Sequence, residues 1–253
     1  MFKGFYNLTS GMYTQQQNLN VVGNNLVNVS TAGFKQGRYT ATTFDDVMYS
    51  RVGNVEKIYS EIGRQSYIRA NDEVYVDWSQ GVPEPTNIPL DFAIMGDGFF
   101  AIQGLEGDEV TYTRAGSFSL DDDGYLCFPG MGYVLDPQGE RIQLRTDKLD
   151  VDRSGNIFNK DTGGYLGTVG VYEFDNVEEQ LEHNGNGFFT GDGAQAVENP
   201  YVLWKYLERS NADMVQQMTE MLTCQRALQS CATVTKMYDE VMAHSASDVG
   251  RMG

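Results

Sequence analysis

Residues 5–29, FYNLTSGMYTQQQNLNVVGNNLVNV, decide the fold. Phe5, Leu8, Met12, Gln15, Leu19, Val22, Leu26 and Val29 recur at alternating spacings of three and four, the a/d seam of a coiled coil sustained over more than three heptads. The other face is polar without being charged: Asn7, Thr9, Ser10, Gln16, Gln17, Asn18, Asn24 and Asn25 stand where a solvent-facing helix carries Glu and Lys. A surface that gives up charge but keeps hydrogen-bonding capacity suits burial against other protein. Gly33, after Ser30-Thr31-Ala32, is predicted to stop the helix, so residues 1–34 are assigned to one element.

The other end of the chain carries a matching pattern. Met214, Met218, Met221, Gln225, Leu228, Ala232, Thr235, Tyr238 and Met242 form one predicted seam within Asn211–Met242, widened by Val215 and Leu222. Ser210 or Asn211 is a candidate cap, with Asp213 placed in the first turn. The outer face carries Glu220, Arg226, Lys236, Asp239 and Glu240, so this helix is expected to be the more solvated of the two. Residues 204–253 are assigned to a helix that pairs with 1–34.

Charge separates the ends from the middle. The formal net charge is −17, with 18 basic and 35 acidic residues, which argues against a nucleic-acid partner. Residues 1–34 hold one charged side chain, Lys3, and residues 204–253 hold five basic and six acidic ones, leaving the whole −17 on residues 35–203. The middle is therefore expected to face solvent. No run reaches the ~18 apolar residues of a membrane span, and the start lacks a basic segment followed by an apolar run, so neither a transmembrane segment nor a cleaved signal peptide is expected.

Between the helices the pattern turns to β-structure. Gly, Asn and Asp clusters separate short β-branched and aromatic runs: Phe92–Ile94 and Phe99–Ile102 around a Gly96-Asp97-Gly98 turn, then Tyr112–Leu120 and Tyr125–Phe128 around Asp121–Gly124. Leu120–Leu126 and Val151–Ile157 resemble one another, each a hairpin signal. Further strand candidates are Tyr133–Leu135, Arg141–Leu144, Gly167–Phe174 and Ala196–Leu203. Pro83, Pro85 and Pro89 mark the entry to this region. The expected class is α+β: terminal helices paired as a coiled-coil-like unit, an extended connection over 35–85, and a discontinuous, mostly antiparallel β domain over 86–203.

Catalytic and metal-binding motifs are missing. With only His183 and His244, there is little material for a histidine triad or a multi-histidine metal site, and His183 reads as a loop residue. Asp150, Asp152, Ser154, Gly155 and Asp161 match positions of a calcium-binding loop, but the flanks read as strands and the last position is Asp, so a hairpin turn is preferred. Asp121-Asp122-Asp123 likewise reads as a turn rather than a paired-carboxylate site. Gly96/Gly98, Gly130/Gly132 and Gly185/Gly187 read as turn glycines, because none opens a predicted helix. Cys127, Cys224 and Cys231 are too few for a disulfide framework. Cys224 and Cys231 stand about 10 Å apart along one helix, too far for a bridge. No cofactor, metal or catalytic residue is expected.

Residues Asn20–Lys35, NVVGNNLVNVSTAGFK, resemble the N-terminal signature of flagellar rod, hook and hook-associated axial proteins, A-N-N-L-A-N-x-x-T-x-G-[FY]-K, with Gly23 and Val27 departing from it. Leu90–Phe100 is similar to that family's L-D-x-A-I-x-G-x-G-F-F element and Tyr112–Phe118 to its Y-T-R-x-G-x-F element. Leu207–Asp213 and Gln225–Ala227 are similar to its L-E-x-S-N-V-D and Q-R-A elements.

The resemblance implies a non-enzymatic basal-body rod subunit of the FlgF or FlgG type that polymerises helically as part of the drive shaft. It also implies association with sister subunits and other rod and hook proteins, and export by the flagellar type III machinery without a cleaved signal, to the periplasm or cell-wall region. The candidate interface residues are Leu8, Met12, Leu19, Val22, Asn24, Asn25, Leu26, Asn28, Met214, Met218, Met221 and Leu228. The competing expectations are a hook or junction subunit of the same family, and a surface carbohydrate-active enzyme or adhesin using the Asp-rich turns.

Overall fold

In the computed structural model, residues 2–43, 47–52, 59–65, 69–105, 109–185 and 187–251 are described. The chain divides into two compact units: a helical unit of Met1–Leu26, Gly37–Tyr75 and Met214–Gly253, and a β body of Val27–Gln36 and Val76–Asp213. The parts of the expected 35–85 connection that fall on 44–46, 53–58 and 66–68 lie outside the described residues. Its described parts include four longer strands, with Gly37–Thr43 beside Arg69–Val76 and Val47–Val52 antiparallel to Tyr59–Gln65.

The helical unit contains α1 (Phe2–Val27), and the chain later forms a single turn, α2 (Val177–Gln180), and the long α3 (Met214–Arg251). α1 stops at Val27, before the predicted Gly33. Asn28 ends it: its backbone oxygen accepts from Thr31 N at 3.1 Å and its side-chain oxygen from Thr31 Oγ1 at 3.3 Å. Such local polar bonds compete with helix continuation. Val29 therefore lies beyond the helix. α3 begins at Met214, placing Asp213 just ahead of its first turn rather than in it, and extends to Arg251 rather than Met242.

In the β body every named strand pairing is antiparallel. The largest sheet runs in the order Leu181–Gly185, Phe188–Gly191, Val110–Thr113, Phe99–Gly104, Gly132–Val134, Leu126–Phe128, Ser119–Leu120, with Val171–Glu173 also on Phe99–Gly104 and Gln195–Ala196 beyond it. Beside it stand a three-stranded sheet, Leu149–Val151, Asn156–Asn159 and Tyr165–Thr168, and two strand pairs, Phe92–Met95 with Tyr201–Trp204 and Pro83–Pro85 with Tyr206–Glu208. Two prolines are tolerated in that last pair because each strand has only one partner.

The Phe99–Gly104 strand explains the continuous apolar run in the sequence. Successive side chains point to opposite faces. Phe99 and Ala101 enter one core cluster with Tyr112, Leu135, Phe174, Leu181 and Phe189. Phe100 enters another with Phe92, Phe118, Leu126, Val134 and Ile157. With core on both sides, alternation gives way to a solid hydrophobic stretch.

Both repeated Asp-rich units are hairpins, Leu120 opposite Leu126 and Val151 opposite Ile157. Phe92–Met95 and Phe99–Gly104 do not form the expected hairpin. The chain instead changes sheets there: Gly98 sits so close to the Val171 strand that an added Cβ would lie 2.5 Å from Val171 Cγ1. Arg141–Leu144 contributes only isolated bridges, and the Tyr112–Leu120 run is interrupted. His183, expected in a loop, lies in the Leu181–Gly185 strand opposite Phe189.

Close backbone approach makes some glycines irreplaceable. A Cβ on Gly116 would meet Phe92 O at 1.8 Å. Gly116→Ala is expected to lower the urea midpoint with a loss of roughly 3 kcal/mol, the upper end of ordinary overpacking. Ala at Gly130, where no atom stands within 4 Å of the added Cβ, should cost less despite its φ of 79°.

Candidate assembly interface

α1 and α3 pack together in antiparallel fashion. Gly4 lies against the Tyr238 ring, where an added Cβ would be 2.9 Å from the Tyr238 oxygen. Further along α1, Met12 Sδ is 4.0 Å from Thr235 Oγ1, Asn18 Nδ2 donates to Cys224 Sγ at 3.2 Å and Asn25 Nδ2 to Gln217 Oε1 at 3.2 Å. As α1 advances, its partners move back along α3. Asn25 also closes a reciprocal pair with the first strand, donating to Gly37 O at 2.8 Å and accepting from Gly37 N at 2.9 Å. The uncharged polar residues of α1 thus include some of its inward contacts, Asn18 and Asn25 among them, rather than lining only the face opposite the seam.

On α3 the inward residues are Gln217, Met221, Cys224, Leu228, Cys231 and Thr235, buried or half-buried at spacings of four and three. This stripe differs from the predicted one. Met214 and Met218 are 48% and 46% exposed, and Gln225 and Met242 also face outward. Cys224, Cys231 and Thr235 stand on the inner side and Asn25 holds Gln217 inward, while Met214 and Met218 of the first turns are left outside. Of the candidate residues on α1, Val22 and Asn25 are buried, Leu8, Met12, Leu19 and Leu26 are half-buried, and Asn24 is exposed. Asn28 is buried within the β body.

The outer side of α3 is apolar along much of its length. Val215 and Leu222 join Met214 and Met218 near its start. Toward its end Val234, Met237, Val241 and Met242 are all at least one-third exposed, as is the part of Tyr238 that Gly4 leaves uncovered, at the spacing of one helix face.

A second constellation, missed in the sequence, lies wholly within the β body. Glu208, 1% exposed, accepts from Lys35 Nζ at 2.5 Å, from Gly81 N at 2.8 Å and from Arg114 Nη1 at 3.5 Å. Lys35 Nζ also donates to Ser79 O at 2.9 Å, and the Arg114 guanidinium stands 4.9 Å from the centre of the Phe99 ring. Burial pulls both cations below their ordinary pKa values, opposed by the Glu208 charge. Gly33, with φ 70°, donates its N–H to Glu208 O at 2.8 Å, and a Cβ there would sit 2.3 Å from Ala115 N. Asn211 accepts from Gln36 N at 2.8 Å and donates to Asp77 O at 2.7 Å. The signal was present: Gly33, Lys35, Arg114, Glu208 and Asn211 are all letters of the resembling motifs.

The other candidate sites resolve into turns. Gly155 N bonds Asp152 O at 3.0 Å within the hairpin, and the Asp161 carboxylate is held by Lys148 at 3.1 Å. Gly124 N bonds Asp121 O at 2.8 Å, closing the Asp-rich turn. Gly96, Gly130, Gly185 and Gly187 have positive φ, as turn glycines do, whereas Gly98 and Gly132 do not, and Gly132 and Gly185 lie at the ends of strands rather than in turns. Cys127, Cys224 and Cys231 are free thiols.

Two measurements probe these contacts. Glu208→Gln strands two buried cations and is expected to cost about 3–5 kcal/mol in urea unfolding. Burial raises the Cys224 thiol pKa, so Cys224 should alkylate more slowly than half-buried Cys231 at pH 8, read by mass spectrometry of peptides.

Three family models match the chain: the flagella basal body rod protein model at residues 5–35, the flagellar hook protein FlgE/F/G D1 domain at 93–162, and the flagellar basal body rod FlgEFG protein C-terminal model at 205–247. The chain is 32% identical to the flagellar basal-body rod protein FlgG of Caulobacter vibrioides, over 92% of this chain and 94% of that one. It is 31% identical to FlgG of Bacillus subtilis, over 96% and 97%, and 27% identical to FlgF of Mesorhizobium japonicum, over 93% of each. The matches run nearly end to end and favour neither the hook nor the carbohydrate-active reading. The chain belongs to the flagellar basal-body rod protein family of the FlgF/FlgG type, a structural and non-enzymatic component of the rod that associates with other rod and hook subunits.

Proposed function

We propose that the subunit self-associates through the outward faces of α1 and α3, with neighbouring copies covering the apolar stripe that one copy leaves exposed. The observation that carries this reading is the run Val234, Met237, Val241 and Met242, four large apolar side chains left exposed beside Tyr238, which itself rests against Gly4 of α1. Contiguous exposed apolar surface of this kind marks a protein contact. Leu8, Met12, Leu19, Val22, Asn24, Asn25, Leu26, Met214, Met218, Met221 and Leu228 are proposed to line the helical interface, the buried ones by setting the pair's shape and Asn24, Met214 and Met218 by direct contact. Asn28 is proposed to act from the β body, by ending α1.

The intramolecular pair is proposed to be coiled-coil-like, supported by the alternating spacing of Gln217, Met221, Cys224, Leu228, Cys231 and Thr235. A contact between unlike faces that does not close on itself generates a helical filament. The acidic surplus of residues 35–203 suits a solvent-facing wall, and no described helix is long and apolar enough to cross a membrane. Export through the flagellar type III machinery, to a position outside the cytoplasmic membrane, is proposed from family membership.

The test separates inner from outer faces. Met237→Asp/Val241→Asp should leave circular dichroism and the urea midpoint of the isolated subunit near wild type, while rods vanish from basal-body preparations and swimming is lost. Burying each such side chain is worth roughly 1.5–3 kcal/mol per subunit, so two charges at the contact suffice. Normal rods carrying this variant would overturn the reading.

A further inference from the structure

One stretch of the β body is acidic without relief. Between Lys160 and Lys205 stand eight acidic residues, Asp161 through Glu198, and no Lys or Arg. Part of that stretch folds against the start of the Val110–Thr113 strand, and the two border an open cavity of about 860 Å³, within the ~300–1,000 Å³ of ordinary ligand sites. Glu109, Glu179, Glu182 and Asp192 line it together with Tyr112 and Gln180. All four carboxylates are exposed, and among the described residues none has an ion pair or a side-chain hydrogen bond. Like charges gathered around a concavity repel one another, and a cation entering it relieves them.

Tyr112 points to a ligand independently of that charge. It is 7% exposed, its ring edge-on to Phe174 at 4.9 Å and to Tyr172 at 6.1 Å. Its hydroxyl has no hydrogen-bond partner among the described residues, yet it is not sealed in the interior as Asp91 Oδ2 and Arg114 Nε are. A buried phenol ordinarily finds a partner within the fold. This one opens on the cavity instead, and burial, followed by the Asp192 charge, raises its pKa so that it stays neutral.

The chemistry of the occupant follows from the groups left unsatisfied. Four carboxylates and a phenol oxygen accept hydrogen bonds, and Lys and Arg side chains carry donors alone. Gln180 Oε1 already accepts from Asn176 N at 3.1 Å, while its NH2 group donates to none of the described residues and is free to meet a backbone carbonyl. Among the described residues no three His, Cys, Asp or Glu side chains stand close enough to share a metal ion. Dispersed carboxylates suit separate cationic side chains on one extended segment. A sister copy is poorly equipped to supply it, because no two Lys or Arg are adjacent anywhere in the sequence.

We propose that this cavity is a docking groove for an extended Lys- or Arg-rich segment of a different protein. Its cationic side chains meet Glu109, Glu179, Glu182 and Asp192, one of them bonds the Tyr112 hydroxyl, and its backbone meets the Gln180 amide. The groove belongs wholly to the β body, so its use is independent of the helix-mediated self-association proposed above.

Fluorescence anisotropy of a labelled GRGRGRG peptide titrated with unassembled full-length subunits tests the groove. Saturable one-to-one binding is expected, weakening as salt rises from about 50 to about 300 mM, with no binding of GEGEGEG. Tyr112→Phe removes a hydroxyl that bonds nothing in the subunit, so it should keep the wild-type urea midpoint while weakening the peptide on the order of 10-fold. Glu182→Gln/Asp192→Asn should weaken it at least as much. Asp122→Asn/Asp123→Asn removes the same two charges from a hairpin turn outside the groove and should change affinity less than about 2-fold. A Tyr112→Phe subunit that binds as wild type does, or a hairpin variant that loses as much affinity as the groove variant, overturns the proposal. Spermine binding more tightly than the peptide also overturns it, in favour of a small polyamine. So does loss of self-association by the groove variant in sedimentation, in favour of a sister copy.

Discussion

The structure of the β body turns on one carboxylate. Glu208 is an anion withdrawn almost completely from water, and it is tolerable there because two cations and a backbone N–H converge on it. A buried ionic group of this kind is a weak source of net stability but a strong source of uniqueness, since every alternative arrangement leaves a charge stranded. The segments leading from α1 and into α3 are thereby held in one register against the body. The tight turn at Gly33, whose backbone packs against Ala115, and the four-way bonding of Asn211 to Gln36, Asp77 and Ser79 surround that charge centre.

Away from that centre, stability comes from a sheet with apolar packing on both faces. The Phe99–Gly104 strand serves as its spine, pairing with three other strands. Such a sheet leaves little room for crossing chains, and the chain crosses where side chains are missing. Gly98 passes Val171, Gly116 passes Phe92 and Gly132 passes Gln103, each closer than a Cβ would permit. Aromatic edges fill the remaining space, with Phe99, Phe189 and Trp78 in mutual contact on one side and Phe92, Phe100 and Phe118 on the other.

Much of this was legible from local pattern. The two helices, the Asp-rich hairpins and most core strands follow from periodicity and turn chemistry, which act over a few residues. Which strand pairs with which did not follow. The Phe92 and Phe99 strands are separated by an ideal turn sequence, yet join different sheets because Val171 and Tyr201–Trp204 compete for them from far along the chain. The rotation of α3 was misjudged by about one position for a related reason. Hydrophobicity alone assigns methionine to the seam, whereas Cys224 and Gln217 enter it because Asn18 and Asn25 of α1 hydrogen-bond them. The ionic centre was hidden because its members lie 173 positions apart, and each looks like an ordinary surface charge until the fold brings them together.

The methionines on the outer side of α3 carry a consequence for how a shaft is built. A branched, rigid side chain fits one pocket well and others poorly. A thioether on a flexible unbranched stem reshapes itself to the surface it meets. Met214, Met218, Met237 and Met242 give one helix a compliant coat. Under the proposed packing, the same face can seat against sister copies in the middle of the shaft and against unlike neighbours at either end, with no change in sequence.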